Sequence, residues 1–120
     1  IYNSWPLMGT TYFPDDNEFL DLLKFSAFND PSLVQFMHRN LAYLILVYYL
    51  FLLIKIYKSN LKEFFFSIYL IGILLIIQII LGILTLMFGA QIILASMHQI
   101  SSIFLVSSSV YFLFLNKSSN

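Results

Sequence analysis

Cysteine is absent from the 120 residues, which excludes a disulfide framework, a thiolate metal site and a cysteine nucleophile. Charge is scarce: Asp, Glu, Lys and Arg make up 10% of the chain, against roughly 25% in soluble domains. Six basic and six acidic residues cancel, which removes the electrostatic case for a nucleic-acid partner. What remains is apolar, 60% hydrophobic and 18% aromatic. Such a composition does not suit an ordinary soluble domain. It points to one all-α unit embedded in lipid, too short for two domains.

The few charges are unevenly placed. From Phe64 to Asn116 there is no Asp, Glu, Lys or Arg. One helix of that length would run about 80 Å at about 1.5 Å per residue, far beyond a hydrocarbon core of about 30 Å. The run must fold back once. Phe88-Gly89-Ala90-Gln91 is the expected break, because a glycine and a polar side chain interrupt the aliphatic pattern there.

Three transmembrane helices follow, over about 31–57, 61–87 and 91–115, each near the ~20 apolar residues that cross a bilayer. The first opens on Asn29-Asp30-Pro31, with Asp30 suited to the N-cap and Pro31 to the first helical position. Lys55, Lys58 and Lys62 lie between the first and second spans, and Lys117 follows the third, in a tail over 117–120. Both places fall on one side of the membrane, which the excess of lysine marks as the inside. Residues 1–30 then lie on the outer face, where Asp15, Asp16, Glu18, Asp21 and Asp30 oppose only Lys24. They lack the basic start and unbroken apolar core of a signal peptide. Asp15-Asp16-Asn17-Glu18 has the form of a capping box, and Phe19, Leu22, Leu23 and Ala27 share one helical face. The spacing predicts a short surface helix over Asp15 to Phe28.

His38 and His98 are the only imidazoles. His38 stands seven residues after Pro31, and His98 seven after Gln91, on spans running in the same direction. Both should lie about 10 Å below the outer helix ends at about 1.5 Å per residue. Polar side chains at that depth are costly and face a partner within the bundle. Two neutral imidazoles at one level suit a haem iron gripped from both sides. They equally suit plain hydrogen bonds that join helices. Zinc fits less well, since no third or fourth protein ligand is at hand.

The histidine faces carry Gln35, Ala42, Ile45 and Tyr49 on the first span, and Ala95, Ser102, Leu105 and Ser109 on the third. The second span bears a stripe of Gln78, Gly82, Thr85 and Gly89, a pattern that serves close helix packing more often than a ligand. Arg39 can pair with a carboxylate of a bound cofactor or extend to the lipid headgroups. Gln99 can join the site or merely connect helices.

Four runs occur in order: Tyr2-Asn3-Ser4-Trp5-Pro6-Leu7-Met8-Gly9, Val34-Gln35-Phe36-Met37-His38-Arg39, Gln78 with Leu81-Gly82-Ile83-Leu84-Thr85, and Leu94-Ala95-Ser96-Met97-His98-Gln99. Together they resemble the C-terminal half of haem A synthase in its mitochondrial and alphaproteobacterial form, over residues 1 to about 105. The resemblance implies a four-helix haem-binding bundle, of which three helices are present here, with His38 and His98 as axial ligands of a resident haem b. Arg39, Gln35 and Gln99 would stand around it. The companion N-terminal half, or a homologous chain, would hold haem O, whose methyl group is oxidised to the formyl of haem A. In that half a glutamate stands three residues before the first histidine. Gln35 occupies the matching position here and has no ionisable proton, so no catalytic residue is expected in this half.

The resemblance further implies a multi-pass protein of the mitochondrial inner membrane, or alternatively of a bacterial plasma membrane. Its expected partners are lipid, haem, an electron donor and haem O synthase, in the assembly of cytochrome c oxidase. Phe88-Gly89-Ala90 departs from a proline-containing turn common in the family. The competing reading is a structural or assembly subunit of a respiratory membrane complex without a haem of its own.

Overall fold

The computed structural model describes residues 2–119. Ile1, which opens the 1–30 segment, and Asn120, which closes the 117–120 tail, lie outside them. Three α-helices account for most of the chain: α1 Pro31–Lys58, α2 Phe65–Met87 and α3 Ile92–Ser118. Among the described residues there is no strand, only an isolated bridge between Met8 and Thr11. Each helix is long and apolar enough to cross a membrane. The all-α, multi-pass membrane class expected from composition is therefore the fold observed.

Local chemistry explains the helix ends. The Asp30 carboxylate accepts the N–H groups of Ser32 and Leu33 at 2.9 and 3.1 Å, and Pro31 occupies the first turn, so α1 begins where its cap dictates. It closes at Lys58, where the Leu61 N–H reaches back to the Ile56 carbonyl around Asn60 in a left-handed conformation. A 3-10 turn over Lys62–Phe64 then precedes α2, so the regular helix starts at Phe65 rather than near 61. Gly89 and Ala90 both have positive φ, and the Ala90 N–H donates to the Thr85 carbonyl at 2.7 Å. The uncharged run reverses here, at the expected place. α3 continues past Leu115 to Ser118.

The surface helix predicted over Asp15 to Phe28 is corrected. The structure has two 3-10 turns, Phe19–Leu23 and Phe25–Asn29, separated by Lys24 in an extended conformation. The capping box lies three residues later than expected, with Glu18 at the N-cap and Asp21 answering it. The physical reason is Ala27, which is buried against the body of the protein. Seating it requires the chain to kink at Lys24 instead of continuing as one cylinder.

The helices are not packed evenly. Ile56, Phe64 and Ile68 form a buried cluster with Tyr49, Leu52, Phe65, Phe112 and Leu115 around it. All of these belong to the lysine-bearing ends of the helices, and the rings of Phe64 and Phe112 lie 5.5 Å apart there. The Tyr49 hydroxyl donates to the Ile68 carbonyl at 2.9 Å, and Gly72 leaves the space in which that ring sits. From this knot α2 and α3 run antiparallel in contact, whereas α1 touches α2 far less and α3 hardly at all. A cavity lies between α1 and that pair.

Candidate functional site

The cavity, about 530 Å3, lies between α1 and the α2–α3 pair, within the range of small-molecule and cofactor sites. Its walls are mostly aliphatic, from Leu41, Ala42, Ile45 and Leu46 on α1, Leu75, Ile79, Ile83 and Leu86 on α2, and Leu105 on α3. The polar groups gather toward the histidine end: His38, His98, Gln35, Gln78, Thr85, Asn3 and Arg39. A flat apolar group with a polar edge matches that distribution.

The two imidazoles face one another across the opening, with ring centroids 6.3 Å apart and planes at 78°. Two metal–imidazole bonds of about 2.0–2.1 Å, plus about 1.1 Å from each nitrogen to its ring centre, separate opposed axial rings by about 6.3 Å. The centroid spacing alone matches two imidazoles on one iron; His98 Nε2 is turned to Gln78, so ligation through it would replace that contact. A near-perpendicular pair of planes is acceptable, because each ring need contain only its own bond to the metal. Among the described residues no group of three or more His, Asp or Glu side chains comes together.

His98 is held more closely than His38, which is exposed on the cavity wall. The Gln78 amide nitrogen lies 3.4 Å from His98 Nε2, and the Ser101 hydroxyl donates to Gln78 Oε1 and, at 3.2 Å, to the His98 carbonyl. Gly82 lies under the ring: a Cβ there would stand 3.0 Å from His98 Cε1. His98 Nδ1 is buried with no hydrogen-bond partner in the protein. A ring nitrogen buried without a partner costs stability.

Gln35 and Arg39 both line the cavity, yet their side chains are committed to residues 2–13. Gln35 brackets Tyr2, accepting its N–H at 3.1 Å and donating to its carbonyl at 2.7 Å. Arg39 donates to the carbonyls of Ser4 at 2.8 Å, Leu7 at 3.2 Å and Pro6 at 3.4 Å. Its guanidinium is thus bound to the backbone of residues 4–7, and its buried Nε is unpaired. Gln99 is exposed and is not part of the cavity wall.

Sequence reasoning missed other members. Tyr43 accepts the Trp5 indole N–H at 3.0 Å, the Asn40 carboxamide accepts the Tyr12 hydroxyl, and Ser32 donates to Asp16 at 2.7 Å. Ser32, Gln35, Arg39 and Tyr43 recur at spacings of three and four, so one face of α1 grips the preceding segment as a roof. That periodicity was readable; its irregular partner was not. Ser101 was also overlooked in favour of Ser102, which bonds only to the Gln99 carbonyl of its own helix. Tyr49 belongs to the packed knot and not to the histidine face on which the spacing put it.

The chain is 43% identical, over all of its length, to the haem A synthase of Pelagibacter ubique strain HTCC1062, and covers 34% of that protein. It is 40% identical to the haem A synthase of Wolbachia pipientis wMel, over 94% of the chain and 31% of the relative. With the haem A synthase of Rickettsia africae strain ESF-5 the identity is 37%, over 99% of the chain and 35% of the relative. The chain thus spans about a third of the length of the curated relatives it matches. No solved structure matches it. The family model described as cytochrome oxidase assembly protein matches residues 1–110, nearly the whole sequence, and the chain belongs to that family.

Proposed function

We propose that this chain serves haem A biosynthesis as the haem-holding, C-terminal part of a haem A synthase, with His38 and His98 as the axial ligands of a haem b. The observation that carries the reading is the opposed pair of imidazoles, 6.3 Å apart on the wall of an apolar cavity. The names of the relatives, haem A synthases of three bacteria, supply the reaction to which the site would contribute. Bound haem b supplies one-electron transfer.

The protein's own residues have defined tasks in this reading. His38 and His98 would hold the haem iron between them and so would leave it no open position for oxygen or water. Gln78 and Ser101 fix the His98 ring, and the bare Gly82 backbone gives it room. Gln35 and Arg39 hold the roof that keeps bulk water from the cavity, and Gln35 moves no proton. Oxidation of the haem O methyl group belongs to the remaining two thirds of the enzyme or to a companion chain. The histidine end faces the outside of the membrane, from the placement of the lysines. The bacterial relatives favour a plasma membrane over a mitochondrial inner membrane. An electron donor and a haem O synthase are the expected partners.

The test is spectroscopic. The full chain, purified in detergent and supplied with haem b, should give a six-coordinate, low-spin spectrum. His38→Ala and His98→Ala should each abolish it. A chain that stays colourless would overturn the reading. The Gln78–His98 contact favours a second one, in which the histidines only join helices of a respiratory complex subunit. Both substitutions would then weaken packing with no spectrum to lose.

A further inference from the structure

The two 3-10 turns ahead of α1 present a surface that the cavity does not use. Phe19, Leu20, Leu23, Phe25 and Phe28 all point away from the protein, with Leu23 83% and Phe25 93% exposed. We infer that these five side chains form a wedge that inserts into the headgroup–acyl boundary of the leaflet at the histidine end.

Position selects lipid as the occupant. The second turn ends at Asn29, Asp30 caps α1, and Pro31 begins the membrane-crossing helix with no linker between them. At about 2.0 Å per residue of 3-10 chain, Phe28 stands within about 6 Å of the start of α1 and Phe25 within about 12 Å, with the first turn behind them. The wedge is therefore continuous with the lipid-facing surface of α1, where Val34 and Leu41 are also exposed. Aromatic side chains are favoured at that level.

The charges of the segment are partly compensated. The Asp16 carboxylate accepts the hydroxyls of Ser32 and Tyr2 at 2.7 and 3.2 Å, and Asp21 pairs with Lys24 at 2.6 Å on the surface. Because the segment is acidic overall, the favoured surface is uncharged or zwitterionic lipid. Ala27, buried in the second turn, and the ties from α1 to residues 2–16 hold the wedge at a fixed height.

The absence of cysteine makes the test clean. Leu23→Cys and Phe25→Cys, each in the full chain and carrying an environment-sensitive dye, are reconstituted in phosphatidylcholine vesicles doped with lipid that bears a nitroxide high on its acyl chain. Val47→Cys on the exposed face of α1 gives the fully lipid-exposed signal, and Thr10→Cys in the roof gives the baseline. The wedge labels should be quenched at least about half as strongly as the Val47 label, with blue-shifted emission. Water-like emission would overturn the inference. Blue-shifted emission without quenching would overturn it equally, since a protein surface or a second copy would then cover the patch. Nitroxides on the same cysteines, expected to meet oxygen more readily than a water-soluble nickel complex, read the same contact without a bulky dye.

Discussion

Replacing Gly82 by Ala tests the site through a single methyl group. The added carbon would stand 3.0 Å from His98 Cε1 and 3.5 Å from Nδ1. Comfortable carbon–carbon contact needs about 3.5–4.0 Å, so the ring must retreat by about 0.5–1 Å. Overpacking of this kind costs about 1–3 kcal/mol, while exchanging a mid-helix glycine for alanine returns about 0.5–1 kcal/mol. The expected net is a loss of up to about 2.5 kcal/mol, visible as a lower thermal midpoint in detergent. The retreat is a quarter to a half of a metal–nitrogen bond of about 2.0–2.1 Å. Haem-loaded Gly82→Ala should therefore shift from six-coordinate, low-spin toward five-coordinate, high-spin absorption. Gly72→Ala is the control: there the methyl would strike the Tyr49 hydroxyl, at the packed end and away from the histidines. It should lower the midpoint and leave the spectrum of the loaded protein alone. A Gly82→Ala protein with an unchanged spectrum and midpoint would refute the claim that this glycine sets the position of His98.

The remaining expectations concern the roof and its ties. Arg39→Lys keeps the charge but cannot span three carbonyls, and amide exchange over residues 4–9 should accelerate by about tenfold or more. Asp30→Ala removes the cap of α1 and should cost about 1 kcal/mol, read as a lower thermal midpoint. Asp16 is held below the usual carboxylate range, chiefly by the Ser32 hydroxyl and further by Asn17 and Tyr2. A depressed folded value means that its contribution is complete above the ordinary value of about 3.9 and is lost as pH falls through the lower one. Amide protection over residues 14–33, taken relative to the intrinsic exchange rate at each pH, should thus be flat from neutral pH to about 4 and fall only below it, and Asp16→Asn should lack that acid step.

How much of this was readable depended on whether the cause was local. Asp30-Pro31 dictates the start of α1 through its own side chains, and Gly89 marks the reversal because the backbone there takes a positive φ. His38 and His98 meet because equal counts along two same-direction helices give equal depth, and counting needs no structure. The roof was not readable. Gln35 and Arg39 choose partners more than thirty residues away, in a segment with no periodicity to reveal which carbonyls it would offer. Nor was the slight contact of α1 with α3, because every face of these helices is apolar enough to meet either a neighbour or lipid. The break at Lys24 follows from burying Ala27, a tertiary demand that outweighed the local helical pattern.

Side-chain packing is concentrated at the lysine end, and a cavity separates α1 from the α2–α3 pair toward the other. A chain built this way behaves like tweezers: the grip that defines its fold is remote from the gap between its tips. Loading or emptying the gap need not unpick the grip, so the polypeptide can be inserted and folded first and receive its guest afterwards. Departure of the guest would leave a folded receptacle behind, ready to be filled again.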